Sequence, residues 1–123
     1  MNPSNLFILF VDNPVASAAF YADLLKRPAL EASPTFALFA LESGAMLGLW
    51  SRHTVEPAAT NWGIGSELAF MVADAAAVKT LHEDWRARGL RIAQEPTEMD
   101  FGHTFVALDP DGHRLRVFSG AAS

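Results

Sequence analysis

Apolar and polar positions alternate in blocks that repeat along the chain. Residues 6–11, LFILFV, form a short apolar run rich in strand formers, which Asp12-Asn13-Pro14 halts with an Asx-type cap and a proline suited to a first helical turn. The next residues place Ser17, Phe20, Tyr21 and Leu24 at the i, i+3, i+4, i+7 spacing of one helix face, with Pro28 expected to end the helix. Two strand-like runs follow, TFALFALES and GAMLGLWS, separated around Glu42-Ser43-Gly44 by few enough residues for a hairpin.

The same order then recurs. ELAFMV (67–72) reads as a strand, Asp74 as a helix cap, Val78, Leu81 and Trp85 as a buried helical stripe, and Gly89 as the helix stop. Three extended segments follow, around LRIAQE, HTFVAL and HRLRVF. Asp109-Pro110-Asp111-Gly112 between the last two suits a type I turn, so those strands are expected to be antiparallel. The pattern predicts an α+β fold of two tandem βαβββ units within one domain, residues 1–123. The units span 5–51 and 67–119, joined by a connector over 51–66. That connector, SRHTVEPAATNWGIGS, carries breakers and little periodicity, and connectors of this length are often functional.

A chain of 123 residues can bury a proper core. Half of its residues are apolar and 19% are charged, below the roughly 25% of ordinary soluble domains, which points to apolar surface in a cavity or interface. The net charge of −5, with Lys and Arg scattered, offers no basic stripe for nucleic acid. No apolar run approaches the roughly 18 residues of a membrane span, and the first residues lack the charged start of a signal peptide, so a cytoplasmic location without a membrane partner is expected. The absence of cysteine excludes disulfides, zinc–thiolate sites and a thiol nucleophile.

Three stretches, FVDNPVASAAFYADLL (10–25), ELAFMVADAAAVKTLHEDWRARG (67–89) and LDPDGHRLRVF (108–118), resemble the vicinal oxygen chelate superfamily, which includes glyoxalase I, bleomycin-resistance proteins and extradiol dioxygenases. ALESGAMLGLWS and FGHTFVALDPDGHRLRV look most like its antibiotic-binding branch, particularly the phenazine-binding proteins. The resemblance implies a curved mixed sheet around a cleft, helices on the convex face, and a homodimer. In the enzymes of the superfamily a divalent metal sits on the concave face, held by His, Gln and Glu.

Counting seven residues back from Asp12 and Asp74 puts Asn5 and Glu67 at two of the implied ligand positions; Gly48 and Arg116 fall at the other two. Only Glu67 is a credible ligand, since arginine offers no lone pair and carries a permanent charge. The expectation is a metal-free, cofactor-free pocket in which Arg116 takes the place of the metal's charge and pairs with Glu67. Strand alternation assigns Phe7, Leu9, Met46, Trp50, Ala69, Met71, Arg114 and Phe118 to the same face, with Leu6, Ile8, Phe10, Leu68, Phe70, Val72, Leu115 and Val117 toward the helices.

Trp50 and Trp62 bracket the connector and suit stacking on a flat ligand, and His103 stands at the start of a strand near the expected pocket. The ligand-binding set is therefore Phe7, Met46, Trp50, Trp62, Glu67, Met71, His103, Arg116 and Phe118. Structural alternatives stand beside it: either tryptophan in the core or a dimer interface, His103 structural or exposed, Arg116 and Glu67 as solvated charges. Trp85 belongs to the core, and Asp109 and Asp111 read as turn formers.

The leading reading is a protein that sequesters a planar aromatic antibiotic or metabolite without catalysis. The second is a metal-dependent lyase or dioxygenase using Glu67 with His103 or His53. A third is a sensing or structural dimer.

Overall fold

The computed structural model describes residues 6–59 and 66–120. Eight strands and two helices follow one another as β1 (Leu6–Val11), α1 (Pro14–Leu25), β2 (Glu31–Ala32), β3 (Phe36–Ala40), β4 (Met46–Ser51), β5 (Glu67–Met71), α2 (Ala75–Ala87), β6 (Arg91–Met99), β7 (Gly102–Leu108) and β8 (Arg114–Phe118). This is the expected α+β order, βαβββ twice. The strands form two four-stranded sheets, ordered β1-β4-β3-β2 and β5-β8-β7-β6. In each unit the first strand pairs in parallel with the last, while the remaining pairs are antiparallel. The chain divides into two compact units at residues 62/63.

In the first unit, α1 is capped by Asn13, whose side chain accepts a hydrogen bond from the Ala16 amide, with Pro14 in the first turn. The cap is thus Asn13 and not Asp12. Asp12 stands apart from it, ion-paired with His53 and Arg52. The helix stops at Leu25 before reaching Pro28, because Lys26 adopts the left-handed conformation and its amide donates to Ala22 O. Tyr21, Leu24 and Ala18 bury their side chains with Phe39, Leu47, Leu49 and Val11, and the Tyr21 and Phe39 rings meet at 6.5 Å.

The second unit repeats this logic with different residues. Asp74 caps α2 through the Ala77 amide, and Gly89, at positive φ, follows its end. Trp85 on the buried stripe meets Phe70 and Phe105 edge-on, and Val78, Leu115 and Val117 complete the core. Between β7 and β8, Asp109 is fully buried in the turn: one carboxylate oxygen accepts from the Asp111 and His113 amides and the other meets His113 Nδ1 at 2.7 Å. Among the described residues, no helix is long and apolar enough to cross a membrane.

Candidate functional site

Register fixes which side chains share a face, because neighbouring partners in a ladder point the same way. In the second unit Glu67 pairs with Arg114, Ala69 with Arg116 and Met71 with Phe118; β7 adds Thr104, Val106 and Leu108 to that face, and Gln94 of β6 pairs with Val106. The opposite face carries Phe70, Phe105, Leu115 and Val117 toward α2. For Glu67, Ala69, Met71, Arg114, Arg116 and Phe118 the alternation seen in the sequence is the alternation of the sheet.

Arg116 is the centre of this open face. Its side chain is 15% exposed and its Nε donates to Glu67 Oε2, with Nη1 donating to Gln94 Oε1 at 3.2 Å and to Thr104 Oγ1 at 3.1 Å. Thr104 is itself anchored, its hydroxyl donating to the Val117 carbonyl at 2.8 Å. The guanidinium carbon lies 5.7 Å from the centre of the Phe101 ring, within the range of a cation–π contact, and Phe101 packs edge-on against Phe118 at 6.1 Å. The second carboxylate oxygen of Glu67 receives Arg114 Nε at 3.2 Å. Glu67 and Arg116 therefore form the expected pair, and Arg114 makes it a triad. No periodicity in the sequence marks Gln94, Thr104 or Phe101 as site residues; the available signal is a polar residue, Thr104, ahead of the apolar run of β7.

The face of the first sheet turned away from α1 is built otherwise. Leu6 pairs with Met46, Ile8 with Gly48 and Phe10 with Trp50, while Phe36 pairs with Trp50 and Leu38 with Gly48. Every one of these is apolar. The Phe36 and Trp50 rings meet edge-on at 6.2 Å, and the Phe36 ring covers Gly48 so closely that a Cβ there would lie 2.9 Å from its Cζ. Met46 and Trp50 are thus on one face.

Phe7 and His103 fall on the helix-facing sides of their sheets. Phe7 pairs with Leu47, whose side chain is buried on the α1 side, so Phe7 and Leu9 belong to the helix face and Leu6, Ile8 and Phe10 to the open one. The reason is the cap: measured from Asn13, the seventh residue back is Leu6, and the whole strand shifts by one, which inverts its faces. His103 precedes Thr104 on β7 and pairs with Glu98, not with the Thr104 row; alternation puts it on the face of Phe105, away from Arg116. It is not brought together with Glu67, and His53 is bonded to Asp12. Trp62 and Asn5 lie outside the described residues.

Of the positions that the family resemblance assigns to metal ligands, the structure describes Gly48, Glu67 and Arg116, and Leu6 stands in β1 where Glu67 stands in β5. These do not fit a divalent cation. Leu6 and Gly48 have no donor side chain, Arg116 is itself a cation, and both oxygens of Glu67 already face guanidinium groups. Asp109, Asp111 and His113 do bring three potential ligand atoms within 4.8 Å, but Asp109 uses both oxygens within its own turn.

A model of the Glyoxalase/Bleomycin resistance protein/Dioxygenase superfamily matches residues 4–117. The chain belongs to that superfamily. It is 30% identical over 116 residues to the phenazine antibiotic resistance protein EhpR of Enterobacter agglomerans, covering 92% of this chain and 88% of that one. Among solved structures it resembles protein ATC0852 from Agrobacterium tumefaciens, at 52% identity, with a TM-score of 0.88 and coverage of 99% and 100%. A glyoxalase-related enzyme from Fulvimarina pelagi shares the fold at 22% identity, with a TM-score of 0.82 and coverage of 98% and 89%.

Proposed function

We propose that this superfamily member is a metal-independent binding protein that sequesters a planar aromatic antibiotic or related metabolite. The observation that carries the reading is Arg116, fastened by Glu67, Gln94 and Thr104 where the superfamily resemblance calls for a metal-binding carboxylate. A fixed guanidinium repels a second cation and supplies its own positive charge, so the polar end of a ligand is oriented without a metal. Phe101 with Phe118, beside Arg116 on the second sheet, forms an aromatic surface of the kind that ligand sites use for a wall. Similarity to a phenazine antibiotic resistance protein agrees with resistance by stoichiometric capture, which requires affinity and not turnover.

The test is a tryptophan-fluorescence titration with planar aromatic antibiotics, phenazines among them, in the presence and absence of a chelator. Saturable quenching that is indifferent to chelator is expected. Quenching abolished by chelator, or restored by added zinc or nickel, would overturn metal independence; no saturable response to any planar compound would overturn the binding reading itself.

A further inference from the structure

Charge on the open face of the second sheet is unbalanced. Two guanidinium groups, Arg114 and Arg116, meet a single carboxylate, Glu67, leaving an excess of one positive charge in a chain whose net charge is −5. The hydrogen-bond inventory of Arg116 is equally lopsided. Of the five N–H donors of a guanidinium, one on Nε goes to Glu67 and two on Nη1 go to Gln94 and Thr104. The two on Nη2 make no hydrogen bond among the described residues.

Glu67 is shared, its two oxygens divided between Arg114 and Arg116. Gln94 donates its own amide to Met99 Sδ, which leaves its carbonyl oxygen toward Arg116 and fixes the network's direction. The guanidinium is thus oriented from three sides, stacked near the Phe101 ring, and unsaturated on its remaining nitrogen. A pre-oriented, partly desolvated cation of this kind binds an anionic oxygen better than a neutral one.

We infer that the ligand of this face is an aromatic acid, whose carboxylate meets Arg116 Nη2 while its ring lies against Phe101 and Phe118. This rests on the binding function proposed above and narrows it: within planar aromatics, selection is by negative charge. Arg114, on the same face two residues earlier along β8, reinforces the preference without being fixed as Arg116 is.

Calorimetric titration of the full chain with phenazine-1-carboxylate and with phenazine-1-carboxamide separates the two ideas, since the compounds match in shape and differ in charge. The acid is expected to bind at least tenfold more tightly. In Arg116→Gln the acid-to-amide ratio falls to within about twofold, and in Arg114→Gln it falls by a smaller factor; the ratio is the readout because a merely structural loss weakens both compounds alike. Raising the salt concentration lowers acid affinity more than amide affinity. Equal binding of acid and amide by the wild-type chain overturns the inference and leaves the binding function standing. Failure of both compounds and of other planar aromatics to bind overturns both. If Arg116→Gln does not fold, an unchanged ratio in Arg114→Gln together with salt-independent acid binding overturns the charge selection.

Discussion

Leu6 and Glu67 hold the same place in the two halves of this chain. Each opens the first strand of its unit seven residues before the helix cap, Asn13 or Asp74, and each pairs in parallel with the first residue of the unit's last strand, Met46 or Arg114. The correspondence continues along the strands: Gly48 answers to Arg116 and Trp50 to Phe118. One topology therefore carries two chemically different faces, an apolar one in the first unit and a charged, hydrogen-bonded one in the second.

The triad on the second face has a measurable energetic role. Glu67→Gln removes the charge that Arg116, 15% exposed, is paired with, while Glu67 is 30% exposed and partly screened. The expected loss is about 1–2 kcal/mol, less than for a fully buried pair. Arg114→Ala, with a side chain 47% exposed, should cost less than about 1 kcal/mol. Urea denaturation of both variants checks the order, and an equal or larger loss for Arg114→Ala would contradict the central position of Arg116.

Gly48 makes the opposite kind of prediction, one of shape. Its Cβ would come within 2.9 Å of the Phe36 ring, so Gly48→Ala must push that ring aside and disturb its contact with Trp50. A loss of about 1–3 kcal/mol is expected. In a Phe36→Leu background the added methyl meets no ring, and the cost of Gly48→Ala should shrink by more than half; additivity of the two substitutions would refute the steric explanation.

Helix capping tests the register itself. Asn13→Ala should cost about 1 kcal/mol, because the Ala16 amide loses its acceptor. Asp12→Ala removes exposed ion pairs with Arg52 and His53 and should be milder. The reverse order in thermal melts would restore Asp12 as the cap.

That one-residue distinction explains what the sequence could and could not disclose. Element order, the hairpin around Glu42-Ser43-Gly44 and the turn before β8 follow from local signals: apolar alternation, caps, Gly and Pro. The second unit's open face was legible because Asp74 stands alone as a cap candidate, so counting back to Glu67 was unambiguous. In the first unit Asp12 and Asn13 are both capable caps; a count from Asp12 assigns Phe7 to the open face, whereas the cap is Asn13 and Phe7 shares the face of Leu47. Gln94 and Thr104 were hidden for a different reason. Their role depends on the pairing of β6, β7 and β8, with register irregularities between Ile92 and Thr97, and no periodicity within one strand reveals its neighbours. His103 illustrates the converse: its place at the start of a strand suggests the pocket, yet alternation along β7 puts it on the face opposite the one that Arg116 occupies.

The turn that launches β8 toward Arg116 should be sensitive to pH. His113 has its pKa raised, first by the hydrogen bond with Asp109 and also by the charges of Asp109 and Asp111, with burial opposing them. The imidazolium is therefore held more tightly in the folded state than in the unfolded chain, where its pKa is near 6.5. Its contribution to stability is fully present below that value and is lost as pH rises through the higher folded pKa. Asp12 works at the acid end: its pKa is lowered, chiefly by the hydrogen bond from His53, so its contribution is present above 3.8 and is lost as pH falls through the lower folded value. Urea midpoints should accordingly decline as pH rises above 6.5 through the higher folded pKa, and His113→Asn should flatten that decline. The imidazole NMR signals should titrate with a midpoint above 6.5 for His113. A midpoint below 6.5, or a decline that survives His113→Asn unchanged, would show that the Asp109 and His113 contact does not govern this part of the pH profile.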